Sequence, residues 1–202
     1  MSPRPYNLGK RRGQIDAGRQ HVLDAARSLL AGTASYTAFT VDAVAKRADV
    51  ARATVYYQFG SKAGLLEAVC DQLAEAGGMS ELATVFAGPD PLEALRGFVA
   101  CFGRFWDADR QAMRRLRALA ALDPEVGAVI SARDQRRRKG LEVLVSRLGD
   151  AQLTGGDQGY TVRTLLALTS FETFDALAGP GSQLKTVAPL VFQLAQAALR
   201  LG

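Results

Sequence analysis

Between its glycines and prolines this chain repeats its apolar residues every three to four positions, and no stretch of any length alternates at every second one. That period places the apolar side chains on one side of a helix, so the pattern predicts an all-α protein of about nine helices. A first helix turns Val22, Leu23, Ala26, Leu29 and Leu30 inward and stops before Gly32. A second is expected from Val41, with Thr40 as N-cap, since its hydroxyl can accept a bond from an otherwise unpaired N–H of the first turn. After Asp49 a third short helix runs from Arg52 to Phe59 and closes at Gly60. Ser61 then caps a fourth, which carries Leu65, Leu66, Val69 and Leu73 on one side and fades at Gly77 and Gly78.

The second half opens on Asp90, Pro91 and Glu93, an acceptor, a residue pre-set for the first helical position and a capping-box partner. The helix that follows has a broad apolar face of Leu92, Leu95, Phe98, Val99, Phe102, Phe105 and Trp106. Asp123 and Pro124 start a long helix through Leu148, with a shorter one from about Arg110 to Ala121 before it. Two more are expected, Gln158 to Ala178 and Val187 to Leu201, parted by Gly179, Pro180 and Gly181. No repeat of solenoid length recurs.

Charge changes this picture more than composition does. The net charge of +5 is not spread evenly: residues 1–62 hold ten Lys and Arg against four Asp, whereas residues 63–202 hold fifteen basic against sixteen acidic residues. The positive excess therefore lies wholly in the first third, as expected if that part alone meets a polyanion. The 48% hydrophobic content supports a sizeable core, yet no apolar run approaches the roughly 20 residues of a membrane span, and no secretion signal follows the basic N-terminus. A cytoplasmic protein without membrane contact is expected. Cys70 and Cys101 have no CxxC spacing and fall on apolar faces, which speaks against a structural disulfide or metal. The only histidine, His21, lies in the basic segment, and there is no glycine-rich phosphate loop or Cys/His/Asp cluster. No catalytic residue, metal ligand or cofactor is expected, and an enzyme is the weakest of the rival readings.

Residues 39–62 carry the most specific chemistry. Val44, Ala45, Val50, Val55 and Phe59 are spaced to fill the small core between two crossing helices, with Ala45 small where they meet. Arg52, Ala53, Thr54, Tyr56, Tyr57 and Gln58 are left facing outward, with Lys62 beyond them. Arginine can bond guanine through two N–H groups, Thr, Tyr and Lys reach phosphate, and alanine permits close approach to a thymine methyl. The stretch from Thr40 through Lys62 resembles the DNA-binding signature of the TetR (tetracycline-repressor) family. It shares an alanine and a basic residue in the first short helix, a threonine, an aliphatic and an aromatic pair in the second, then Phe, Ser-Lys and the pair Leu65 and Leu66. Two positions depart from that pattern: Asp49 stands where glycine is common, and Ala51, which cannot cap, where Ser or Thr is.

The resemblance implies double-stranded DNA with a palindromic operator as partner, Thr54, Tyr57 and Lys62 on phosphates, and Arg52, Ala53 and Tyr56 nearest the bases. Thr40 is included among the DNA-contacting residues. It further implies an N-terminal arm with Arg11, Arg12 and Arg19 near the backbone or minor groove, a homodimer formed through the last two helices, and repression relieved by a small apolar effector of unknown identity. The expected division is a basic arm over 1–15, the helix-turn-helix domain over 16–62, a connecting helix over 63–78 and an effector-binding and dimerisation domain over 79–202.

For that last domain the residues leave two readings open. Phe98, Phe102, Phe105, Trp106 and Met113, with Leu116, Phe171 and Phe174, would line an apolar pocket or simply pack a solid core, in a regulator controlled by a protein partner. Arg117, Glu172 and Asp175 are the polar groups placed to orient a ligand, or else ordinary paired surface residues. The five basic residues between Arg133 and Lys139 read as a solvated helix face, because acidic residues interrupt them and they span every side of the helix.

Overall fold

The computed structural model describes residues 8–32, 39–149 and 157–200, so Arg4 of the expected arm, the glycine pair at 155–156 and Leu201 lie outside the described residues. The described chain is helical and forms two compact units, divided after Val69. No described helix is long and apolar enough to cross a membrane.

The first unit consists of α1 (Leu8–Ala31), α2 (Val41–Arg47), α3 (Arg52–Phe59) and the first part of α4 (Lys62–Ala76). Val22, Ala26 and Leu30 of α1, Val44 and Ala45 of α2, Val55 and Phe59 of α3, and Leu65, Leu66 and Val69 of α4 are all buried. Their burial holds the unit together, since α2 and α3, of seven and eight residues, are too short to persist alone. The Thr40 hydroxyl accepts from the N–H of Ala43, and the Ser61 hydroxyl accepts from that of Gly64. Gly64 also sets how closely α4 follows α3: a Cβ there would stand 2.0 Å from the carbonyl oxygen of Phe59. Asp49 takes the left-handed turn at φ 49°, and α3 begins after Ala51 with no side-chain cap.

The second unit begins with the end of α4, followed by a 3-10 turn at Met79–Glu81 and α5 (Leu82–Ala87). It continues through α6 (Pro91–Asp107), α7 (Arg110–Leu122), α8 (Pro124–Leu148), α9 (Gln158–Leu168), α10 (Phe171–Ala178), a second 3-10 turn at Leu184–Val187 and α11 (Ala188–Arg200). Asp90 and Asp123 cap α6 and α8 as expected, each carboxylate accepting two backbone N–H bonds ahead of a proline. Glu93 pairs with Arg96 on its own helix. The broad apolar face of α6 packs against α5, α7, α8, α10 and α11. Cys70 and Cys101 are free and buried, and burial pushes the Cys101 thiol pKa up.

Eleven α-helices are present among the described residues, against about nine expected. One addition is α5, a helix of six residues too short to show a period. The other comes from a break in the segment expected to run unbroken from Gln158 to Ala178. There Ser170 caps α10 by accepting from Thr173, and the apolar spacing continues across the break, which is why it does not show in the sequence.

Candidate nucleic-acid interface and ligand cavity

On α3 the inward positions are Val55 and Phe59, so the opposite side faces out. Arg52, Ala53, Tyr56 and Tyr57 are exposed there, and Tyr57 reaches 89% exposure, an unusual state for a ring of that size. Thr54 is half-buried at the edge of this face, Lys62 half-buried just beyond the helix, and Thr40 exposed at the start of α2. Arg52 and Tyr56 form one pair: an Arg52 guanidinium N–H donates to the Tyr56 hydroxyl at 3.3 Å, with the guanidinium 5.4 Å from the ring centre. Asp42 lies 3.2 Å from the same guanidinium, and the Tyr56 bond and this carboxylate together push the Arg52 pKa up.

Arg19, which the resemblance places near the DNA backbone or minor groove, is engaged within the protein. It donates to the carbonyl of Gln58 at 2.8 Å and stacks 4.3 Å over the Phe59 ring, tying α1 to the end of α3. A guanidinium satisfying the last carbonyls of a helix also complements the negative end of its dipole. Lys10, Arg11 and Arg12 stand on the opening turns of α1 rather than before a helix.

A cavity of about 190 Å³ lies in the second unit. Of the residues expected there, Phe98, Phe102, Phe105, Trp106, Met113, Leu116 and Arg117 line it. Phe171 and Phe174 do not: Phe171 meets the Trp106 ring edge-on at 5.8 Å, and Phe174 is packed against Gly103. Asp175 is also elsewhere, since its carboxylate accepts from Arg110 and Arg114. Burial, the largest single influence, raises the Asp175 pKa, but the hydrogen bonds and charges of Arg114 and Arg110 outweigh it and hold the carboxyl below the usual range. Glu172 is exposed, 3.6 Å from Arg117, and outside the lining.

The wall facing the aromatics is the larger departure from expectation. Arg133, Asp134, Arg136, Arg137 and Gly140 of α8 line the cavity, so the basic run is not simply a solvated face. Arg137 is only 6% exposed. It donates to the Thr169 carbonyl at 2.9 Å, and Trp106 donates its indole N–H to the same oxygen at 3.1 Å. The break after α9 leaves that carbonyl outside the helical ladder and available to both. Asp134 accepts two bonds from Arg117, at 2.6 and 3.0 Å, and stands 3.3 Å from Arg137. Burial drives the Arg137 pKa down to about 10, partly offset by Asp134, so the group remains charged at neutral pH. A signal for Arg137 was present: it falls four residues before Leu141 and eight after Val129, in register with the buried stripe of α8.

A third feature lies on α11, whose inner side of Val191, Phe192, Ala195 and Leu199 is buried. Leu190, Leu194 and Ala197 form an exposed stripe on the other side, and Tyr160 of α9 is likewise exposed.

Two short helices joined by a left-handed turn, the second turning a polar and aromatic face outward, constitute a helix-turn-helix DNA-binding module. Residues 22–69, which hold this module, match the family model described as bacterial regulatory proteins, tetR family. The chain is 34% identical over 113 residues to the HTH-type transcriptional regulator AlkX of Mycobacterium tuberculosis, a match covering 56% of this chain and 47% of that protein, so it spans about half of that relative. Among solved structures it resembles the fatty acid degradation regulator FadR of Bacillus halodurans, with TM-score 0.67 and 18% identity over 91% of this chain and 96% of the other. It also resembles a TetR-like regulator of Rhodococcus sp. RHA1, with TM-score 0.63 and 24% identity over 90% and 95%. At these identities the structural likeness speaks for the fold.

Proposed function

We propose that this protein is a homodimeric transcriptional repressor that holds a palindromic operator through α3 of each copy and releases it when a mostly apolar small molecule enters the cavity of the second unit. The observation that carries this reading is the outward face of α3, where Arg52, Ala53, Tyr56 and Tyr57 are exposed on a helix otherwise anchored by Val55 and Phe59. In the major groove Arg52, Ala53 and Tyr56 read bases, while Thr54, Tyr57 and Lys62 hold phosphates and Thr40 supports the same edge. The ion pair of Arg52 with Asp42 holds the guanidinium in place until a base edge replaces the carboxylate.

Dimerisation is supported by the exposed stripe of Leu190, Leu194 and Ala197 on α11, beside α9. A two-fold pairing of these helices buries it and matches the two halves of a palindrome. The response to a ligand is supported by α4, which lines the cavity with Cys70 and Ala74 and whose first residue follows closely on α3. A ligand that favours one conformation of this wall shifts the population away from the DNA-binding state.

The test is binding of the purified protein to fragments flanking its own gene across a salt series. Tight binding to one palindromic fragment, falling steeply with salt, is expected. Changing Tyr57 and Lys62 together to Ala weakens it at least about tenfold and lowers the salt slope by about 1 for the lost lysine contact. Weak binding, equal on all fragments, would sink the proposal.

A further inference from the structure

We infer that the small molecule is an amphipathic anion, with its apolar body against the aromatic wall of α6 and one acidic group, a carboxylate or a phosphate, held by Arg137 and its neighbours on α8. This rests on reading the cavity as the effector site, and it adds the chemistry of the head group.

The cavity has two unlike walls. Phe98, Phe102, Phe105 and Trp106 form one, a hydrocarbon surface that takes an aryl ring or a short acyl chain and carries no charge. The opposite wall brings four guanidinium groups, Arg133, Arg136 and Arg137 of α8 and Arg117 of α7, against the single carboxylate of Asp134. Asp134 is already shared between Arg117 and Arg137. Two further carboxylates lie outside the lining, Asp71 beside Arg133 and Glu172 beside Arg117, with side chains 71% and 60% exposed. Water screens both, and even counted in full they leave the lining positive.

Arg137 is the group whose bonding is incomplete. Its terminal nitrogens meet Thr169 and Asp134, and its Cζ lies 5.7 Å and 5.6 Å from the ring centres of Phe102 and Trp106. Its Nε is buried and has no hydrogen-bond partner. Buried donors are almost always paired, because losing water without gaining an acceptor is costly. Benzene rings and methionines offer no acceptor of that strength. An acid oxygen does, and it also compensates a charged guanidinium that burial disfavours. A neutral hydrocarbon fills the cavity but leaves that donor unmet, and a cationic amphiphile adds charge of the wrong sign.

Room for the body lies beyond Arg137. Gly140 is one turn further along α8, where a Cβ would stand 3.1 Å from the Phe98 ring and 3.2 Å from that of Phe86. The missing Cβ lets these two rings, part of the apolar lining, close up to α8, so head and tail sites are adjacent on one helix.

The experiment titrates the full-length protein calorimetrically with four probes of equal chain length: octanoate, octyl phosphate, octan-1-ol and octyltrimethylammonium. At least one acid is expected to bind ten or more times tighter than the alcohol, with the cation weakest, and the two acids against each other show which head group is preferred. In Arg137→Met the acids lose that advantage while the alcohol binds as before. If that variant fails to fold, Arg136→Gln is the second test and reduces the preference severalfold, and the probe series on the unaltered protein decides on its own. Alcohol binding equal to acid binding, or the cation binding tightest, overturns the anion. If that alcohol or cation also weakens operator binding, the effector reading survives without it. If none of the four binds, both fall.

Discussion

Arg110 and Arg137 show how differently one residue type is used within a single unit. Arg110 spends its donors on the Asp175 carboxylate and on the carbonyls of Asp175, Gly179 and Ser182, tying the end of α10 to the start of α7. Asp175 is therefore a structural acceptor, although its sequence position beside the aromatic residues invited a ligand role. Asp175→Asn is expected to cost about 2 kcal/mol of stability in urea unfolding at neutral pH, the order of a hydrogen bond to a charged group. Because the folded carboxyl is held below its usual range, this advantage is fully present above the unfolded value of about 3.9 and is lost as pH falls through the folded one. Variant and parent should converge in acid; a constant difference down to that range would mean the carboxylate charge is not what matters. The contrast also explains what the sequence concealed. Helical spacing made Phe98, Phe102, Phe105, Trp106 and Met113 candidates for a pocket or a solid core and left Arg117 as a ligand group or a paired surface residue, without choosing between them. Arg137 was masked: its register with Val129 and Leu141 marks it as inward, but it stands in a run of charges that covers every side of α8.

At the level of the helices, legibility followed the strength of the start and stop signals. Aspartate before proline announced α6 and α8, Thr40 announced α2, and each helix begins where its cap stands. The break after Thr169 was hidden because Leu165, Phe171 and Phe174 keep a helical apolar rhythm across it; only the Ser170 cap and the two donors on the Thr169 carbonyl reveal it. The recognition helix presents the opposite case, a helix whose cap is missing. Ala51 has the extended backbone of an N-cap, φ −67° and ψ 143°, but no side-chain acceptor for the first turn. Ala51→Ser should therefore raise stability by about 1 kcal/mol, seen as a higher denaturation midpoint with an unchanged slope. No gain would mean that water already satisfies those N–H groups.

Across the whole molecule, the uneven charge was the clearest message of the sequence. The basic first third coincides with the unit that carries α3, while the nearly neutral remainder forms the unit with the cavity. What sequence could not supply was the outer side of α11, since Leu190 and Leu194 belong to the same apolar pattern as the buried Val191 and Ala195. If that stripe joins two copies, Leu194→Arg should yield a monomer in sedimentation and reduce operator affinity at least about tenfold, because one half-site must then bind alone. A dimer that persists would move the interface elsewhere. Trp106, finally, is the only tryptophan among the 202 residues, and it stands in the cavity wall with its indole N–H on Thr169. All indole emission of the protein therefore originates at the place where a guest would enter, so the unlabelled chain is its own optical indicator of occupancy.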